Sequence, residues 1–112
     1  MISPAVLHHI TTHEAWDAAS ATGAYAPESL ATEGFIHLSA PEQVLGTANR
    51  FYRGAEGLVV LSIDAASVKG DVRWEEGEPG VLFPHLYRAL RTAEVVGAAE
   101  LIADDGAWTG LA

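Results

Sequence analysis

Hydrophobic and polar positions along this chain switch between the period of a strand and that of a helix, and the switches mark its elements. Val6 to Thr11 is an extended, largely apolar run of strand type. It gives way at Thr11-Thr12-His13-Glu14, where a hydroxyl residue precedes a glutamate by three as in a capping box. The helix this opens carries Ala15, Trp16, Ala19 and Ala21 and ends at Gly23. Residues 24–33 follow neither period and include Pro27, so they read as a loop that carries Tyr25 toward the functional side. Phe35 to Leu38 is the next strand. Ser39-Ala40-Pro41-Glu42 repeats the capping-box spacing and predicts a second helix, from near Pro41 to Tyr52, with Val44, Leu45, Ala48, Phe51 and Tyr52 at helical spacing before Gly54.

The second half reads mostly as strands. Leu58 to Ile63 is apolar on both faces, the pattern of a central strand covered on both sides, and Asp64 caps one short turn through Val68. Val72-Arg73-Trp74 predicts a short strand, and Glu75, Glu76 and Glu78 among Gly77, Pro79 and Gly80 predict an acidic loop. Val81 to Tyr87 returns through the core with Pro84 marking an edge or a turn, and Val95 to Ile102 closes the sheet. Asp104-Asp105-Gly106 is a turn that leaves Trp108 packed on the surface. Helices early and strands late describe an α+β domain. The expectation is a single compact domain over residues 1–112, with a mixed, mainly antiparallel sheet covered by two amphipathic helices through Trp16 and Phe51.

Composition narrows the function classes. Six Lys and Arg against fifteen Asp and Glu give a formal charge of −9, which opposes an extended grip on nucleic-acid phosphates. The partner expected is a small-molecule or nucleotide ligand, and the protein itself a monomer or homodimer. The absence of cysteine excludes disulfides, thiol nucleophiles and sulfur-bound zinc. Met1-Ile2-Ser3-Pro4 lacks a basic start followed by an apolar run, and no stretch nears the roughly 20 apolar residues of a membrane span, so a soluble cytoplasmic protein is expected.

Candidate chemistry centres on Gly34-Phe35-Ile36-His37-Leu38-Ser39, where His37 is the one ionisable group among residues that favour burial. His9 and His85 lie in similar apolar settings. A buried, unpaired imidazole is costly, so three of them in one small core imply a shared polar purpose. They are therefore predicted to line one cleft, where the strand of residues 35–38 meets the helix beginning near Pro41, with Thr11, Ser39, Trp74 and Tyr87 on its walls. Glu75, abutting a strand end, joins His37 and His85 as a catalytic candidate. His8 cannot share a strand face with His9, and it should lie outside the cleft together with His13. Three histidines and a glutamate also have the donor types of a zinc or iron site, but their spacing lacks the i, i+4 pair of a helical metal motif, and a metal-free protein is expected. A non-catalytic small-ligand module uses the same residues. No Gly-x-Gly-x-x-Gly run supports hydride transfer, and Ser39 reads as a helix cap rather than a nucleophile.

His9-Ile10-Thr11, Trp16, Gly34 to Ser39, Gln43, Asn49-Arg50-Phe51, Arg73-Trp74-Glu75 and Phe83 to Tyr87 together resemble the bacterial family called domain of unknown function 952. That family usually has Tyr-His-Ile-Thr where this chain has His8-His9-Ile10-Thr11, so His9 is the matching histidine. His-x-Thr on a first strand followed by His-Leu-Ser is also similar, more distantly, to the ADP-ribosyltransferase superfamily and especially to RNA 2′-phosphotransferases. That resemblance implies an ADP-ribosyltransferase-like fold and a transferase that uses NAD. It implies that His9 and Thr11 bind the NAD ribose and nicotinamide amide, that His37 and Ser39 form the second motif, and that Glu75 or His85 fills the position stabilising the ribosyl cation. Ile10 stands where the phosphotransferases carry a small glycine.

Overall fold

In the computed structural model, which describes residues 4–112, the chain runs β1 (Val6–Thr12), α1 (His13–Thr22), β2 (Ala24–Tyr25), α2 (Glu28–Thr32), β3 (Ile36–His37), α3 (Val44–Phe51) and β4 (Leu58–Asp64). It continues through α4 (Ala65–Val68), β5 (Val72–Glu78), β6 (Val81–Leu86), β7 (Leu90–Arg91), β8 (Val95–Ala99), β9 (Leu101–Asp104) and β10 (Ala107–Leu111). Met1, Ile2 and Ser3, on which the absence of a leader was read, lie outside the described residues. No helix among the described residues is long and apolar enough to cross a membrane.

The architecture is a compact α+β domain in which the strands pair antiparallel throughout the described residues: β1-β4-β8, β3-β6-β5, and the ribbons β2-β7 and β9-β10. β4 is central, as its two-sided apolar pattern requires, with Val60, Leu61 and Ile63 fully buried. One face of its sheet meets Leu7, Ile36, Leu38, Leu86 and Leu90, with Trp16 of α1 packed against them. The other face meets Val44 and Ala48 of α3 together with Ile10, and Tyr52, Trp108 and Leu111 close over it. Mutual hydrogen bonds between the backbones of His8 and Ser39, both 2.8 Å, join the two three-stranded sheets.

Several boundaries depart from the sequence expectation, each for a local reason. The strand predicted over Phe35–Leu38 is ordered as a ladder only at Ile36 and His37, which pair with Leu86 and His85. The register next sets Leu38 opposite Pro84. Leu38 N–H donates to the Pro84 carbonyl at 3.0 Å, but proline has no N–H to return, and the ladder stops. Pro84 thus sits in the middle strand of its sheet rather than at an edge, tolerated because β3 ends beside it.

Ser39 does not cap the second helix. Its backbone is committed to His8 and its hydroxyl lies 3.3 Å from that of Thr47, while Gln43 Oε1 accepts from Ala40 N–H at 2.9 Å and holds a turn before α3 begins at Val44. At the first helix the capping hydroxyl is Thr12, which accepts from Ala15 N–H at 3.0 Å and leaves Thr11 to the strand. The loop expected over 24–33 contains β2, which pairs with β7, and the five-residue α2.

The acidic stretch after Trp74 is strand, not loop. Pairing with β6 carries β5 through Glu78, and the turn is confined to Pro79-Gly80, where Gly80 takes φ 77°. A bulge at Gly77 permits the Phe83 ring to lie against the backbone, since a Cβ there would meet that ring at 2.5 Å. Val95–Ile102 is broken at Glu100 into β8 and β9. Phe51 does not cover a sheet face. It ends α3, overhangs the layer below and is 70% exposed. Trp108 is half-buried, its indole N–H donating to Tyr52 O at 3.1 Å, and Asn49 clamps its backbone through both amide atoms.

Leu61 carries the middle of the central strand with no exposed surface. Leu61→Ala is expected to cost about 2–5 kcal/mol, read from the shift in a urea unfolding midpoint at unchanged slope. A loss under about 1 kcal/mol would contradict the two-sided packing described for β4.

Candidate functional site

The period-two geometry of β3 and β6 assembles the site. His37 and His85 are directly opposite in register, so their side chains emerge on the same face, accompanied by Phe35 just before β3 and Tyr87 just after β6, each two residues from its histidine, and by Arg73 and Glu75 from β5. The Phe35 ring stacks on His85 at 4.0 Å between centroids, and the His37 and His85 rings meet edge-on at 5.5 Å. The even-numbered Trp74 points to the opposite face. It is 43% exposed and lines a separate recess with Leu7, Asp64 and Lys69.

The cleft over this face has a volume of about 820 Å³, within the range of about 300–1,000 Å³ of small-molecule sites. His9, His37 and His85 all line it, with Thr11 and Ser39; Glu75 and Tyr87 stand behind His85 and do not line it. His8 and His13 lie outside, His8 with its ring 3.4 Å from the Ser62 hydroxyl and His13 paired to Glu100 at 3.3 Å. Residues the sequence reading did not assign to the site also line the cleft: Glu33 and Phe35 before β3, Arg50 and Phe51 at the end of α3, and Glu76 and Glu78 on the β5–β6 hairpin. Glu33 had a local signal, four residues before His37, but Arg50 and the hairpin glutamates reach the cleft only through the tertiary fold.

Each of the three histidines has a distinct set of partners. His9 Nδ1 lies 2.6 Å from the His37 carbonyl, and Nε2 lies 2.7 Å from the Tyr25 hydroxyl, which in turn is 3.0 Å from Thr11 Oγ1. A carbonyl only accepts, so Nδ1 carries a proton. Burial pushes the His9 ring down to about 4, against the opposing effect of the His37 carbonyl, and keeps it neutral at pH 7. The bare Nε2 of that neutral ring accepts from Tyr25 O–H. A protonated ring donates to the Tyr25 oxygen instead, and the Tyr25 O–H then donates to Thr11 Oγ1. Burial also raises the Tyr25 phenol, which therefore remains a donor. With both nitrogens engaged, His9 positions its neighbours rather than contacting a ligand directly.

His37 and His85 are each backed by a carboxylate: His37 Nε2 by Glu33 Oε2 and His85 Nδ1 by Glu75 Oε1, both at 2.9 Å. Glu75 Oε1 also accepts from the Tyr87 hydroxyl, and these two hydrogen bonds, that of Tyr87 first, hold the Glu75 carboxyl below the usual carboxylate range. The same bond raises the Tyr87 phenol. An ionised Glu75 fixes the proton on His85 Nδ1 and turns the lone pair of Nε2 outward. His85 is 6% exposed, and no buried side-chain nitrogen or oxygen among the described residues lacks a partner, so this unpartnered Nε2 meets the open cleft. No group of three or more His, Asp or Glu side chains among the described residues converges to hold a metal ion.

Fold and site together define a small α+β pocket protein with two carboxylate-backed histidines facing one cleft. The chain belongs to the family described as protein of unknown function (DUF952), whose model matches residues 10–98. The crystal structure of protein CC0527 from Caulobacter crescentus is 38% identical and superposes with a TM-score of 0.84 over 92% of this chain and 91% of that one. The solution structure of CC0527 gives 40% identity and a TM-score of 0.81 over 92% and 90%. No curated protein matches the sequence.

The His9 ring makes stability depend on pH. The unfolded chain takes up its proton near pH 6.5 and the folded chain only near 4, so the stability present above pH 6.5 is lost as pH falls through that window. The loss is expected to reach about 3 kcal/mol at pH 4, read from urea midpoints across the range. His9→Asn, which keeps a donor but does not titrate, should remove most of the slope between pH 6.5 and 4. An unchanged slope in that variant would assign the effect to other groups.

Proposed function

We propose that the protein is a ribosyl-transfer enzyme of ADP-ribosyltransferase type, acting on a nucleotide or nucleoside donor such as NAD, with His85 as the base and His37 holding the sugar. The observation that carries the reading is the His37–His85 cross-strand pair. Each ring is oriented by a carboxylate on one nitrogen, and the other nitrogen has no protein partner among the described residues. An imidazole oriented in this way can take a proton from an attacking hydroxyl, a contribution of about 10²–10⁴ to a rate. Support also comes from the placement of His9 and Thr11 at the base of the same cleft and from the carboxylates around it, which favour a developing oxocarbenium ion.

The step is a substitution at the anomeric carbon. The C1′–N bond breaks and its electron pair leaves with the nicotinamide ring, which becomes neutral. A C1′–O bond forms to water or another hydroxyl acceptor, whose proton goes to Nε2 of His85. His37, beside it on the same sheet face, hydrogen-bonds the sugar hydroxyls through Nδ1. Glu75 acts through His85, fixing its tautomer with help from Tyr87. His9 is assigned a positioning role, because its nitrogens are held by His37 O and Tyr25.

The test is nicotinamide release from NAD, followed beside calorimetric titration with NAD, ADP-ribose and nicotinamide. His85→Gln is expected to lower turnover by about 10²–10⁴ while the melting temperature and donor affinity stay near those of the parent. Glu75→Gln should slow the reaction less and move its pH profile. Turnover unaffected by His37→Ala and His85→Ala would remove the acid–base assignment. Absence of heat with all three compounds and with the corresponding nucleoside, nicotinamide riboside, at millimolar concentration would remove the ribosyl-transfer reading and leave a non-catalytic pocket for some other small ligand.

A further inference from the structure

The charges around the cleft discriminate between donors that share the same reacting bond. Glu28, Glu33, Glu76 and Glu78 line it, no lysine does, and its one arginine, Arg50, is paired with Glu78. A pyrophosphate is bound where arginine, lysine or free helix amides meet its oxygens. The first turn of the five-residue α2 carries the negative charge of Glu28, and His9 is neutral at pH 7. The whole chain, at a formal charge of −9, adds repulsion for an incoming polyanion.

The same walls suit a cation. Phe51 stands 70% exposed at the mouth, and its ring already holds the Arg50 guanidinium 5.4 Å from its centroid, the geometry of a cation–π contact. Glu76 and Glu78 of the hairpin line the same cleft, Glu78 holding the Arg50 guanidinium that lies over Phe51. Deeper in, the buried His85 leaves Nε2 without a partner, an acceptor waiting for a hydroxyl donor. A flat cationic ring at the mouth and the hydroxyl of the acceptor on His85 satisfy both ends of the cleft at once.

We infer that the cleft takes a cationic N-ribosyl compound, a pyridinium nucleoside without phosphate groups, in preference to a dinucleotide. This rests on the ribosyl-transfer reading and specifies its donor. The positive ring takes the place of the Arg50 guanidinium between Phe51 and Glu78, the ribose hydroxyls face His37, and His85 Nε2 faces the acceptor hydroxyl. Phosphorylation of the nucleoside then weakens binding, so the enzyme acts on a donor from which a phosphatase-class reaction has already removed phosphate.

Calorimetry on the intact chain with nicotinamide riboside, NAD and ADP-ribose decides it. The riboside is expected to bind at least tenfold more tightly than NAD and ADP-ribose, and to weaken as salt is raised, because its attraction is electrostatic. Glu78→Gln, which removes a carboxylate and frees Arg50, should narrow the gap by improving NAD and weakening the riboside. Equal or tighter binding of NAD overturns the inference while leaving ribosyl transfer standing. An order unmoved by Glu78→Gln overturns it too, since the charges invoked would then not set the preference. Absence of binding by all three overturns both.

Discussion

The His9 imidazole holds the two halves of the site together. One nitrogen reaches the backbone of β3 and the other the phenol of Tyr25 at the end of β2, so a single buried ring on β1 fixes the positions of two short elements that have little structure of their own. β2 and β3 are two residues each, too short to define their own place through ladder hydrogen bonds. The ring remains neutral because it is buried, and its neutrality is what permits both bonds without the cost of an enclosed charge.

Much of this was legible in the sequence, and the part that was not has identifiable causes. The apolar run at Leu58–Ile63 could only be a strand covered on both faces, and that is where the core lies. The odd-numbered series Phe35, His37, Phe83, His85 follows from strand periodicity once the strands are recognised. The same rule places Trp74 and Glu75 on opposite faces, so both could not belong to one cleft. The spacing of Ser39 to Glu42 fits a helix cap. Nothing local signals that its backbone is already paired with His8, thirty-one positions earlier. The glutamates after Trp74 resemble a solvated loop by composition, but cross-strand pairing outweighs that local preference.

A second ion-pair system stabilises the back of the molecule. Arg88 binds Glu94 through two nitrogens, at 2.8 and 2.9 Å, and Asp71 through a third at 2.8 Å. Arg88 holds the buried Glu94 carboxyl below the ordinary range. This clasp joins the segment after β6 to the turn before β5 and so fixes the ends of both strands that carry the site. Geometry is thereby imposed on the cleft from outside it, and the cleft side chains keep their free nitrogens for a ligand.

The register of the sheets also sets the order in which the site can come into being. β5 and β6 form a hairpin that needs only its own residues, whereas Val6 waits for Asp64 and Ile36 for Leu86. As the chain leaves the ribosome, β1 emerges 46 residues ahead of β4, since its last residue Thr12 pairs with Leu58, and before then its backbone has only the bridge to Ser39. The three histidines of the cleft come from the beginning, middle and end of that sequence of events. Long-range antiparallel pairing of this kind folds slowly. In the interval the apolar run of β1 is without a sheet, and chaperone protection of the nascent chain should matter most for this segment.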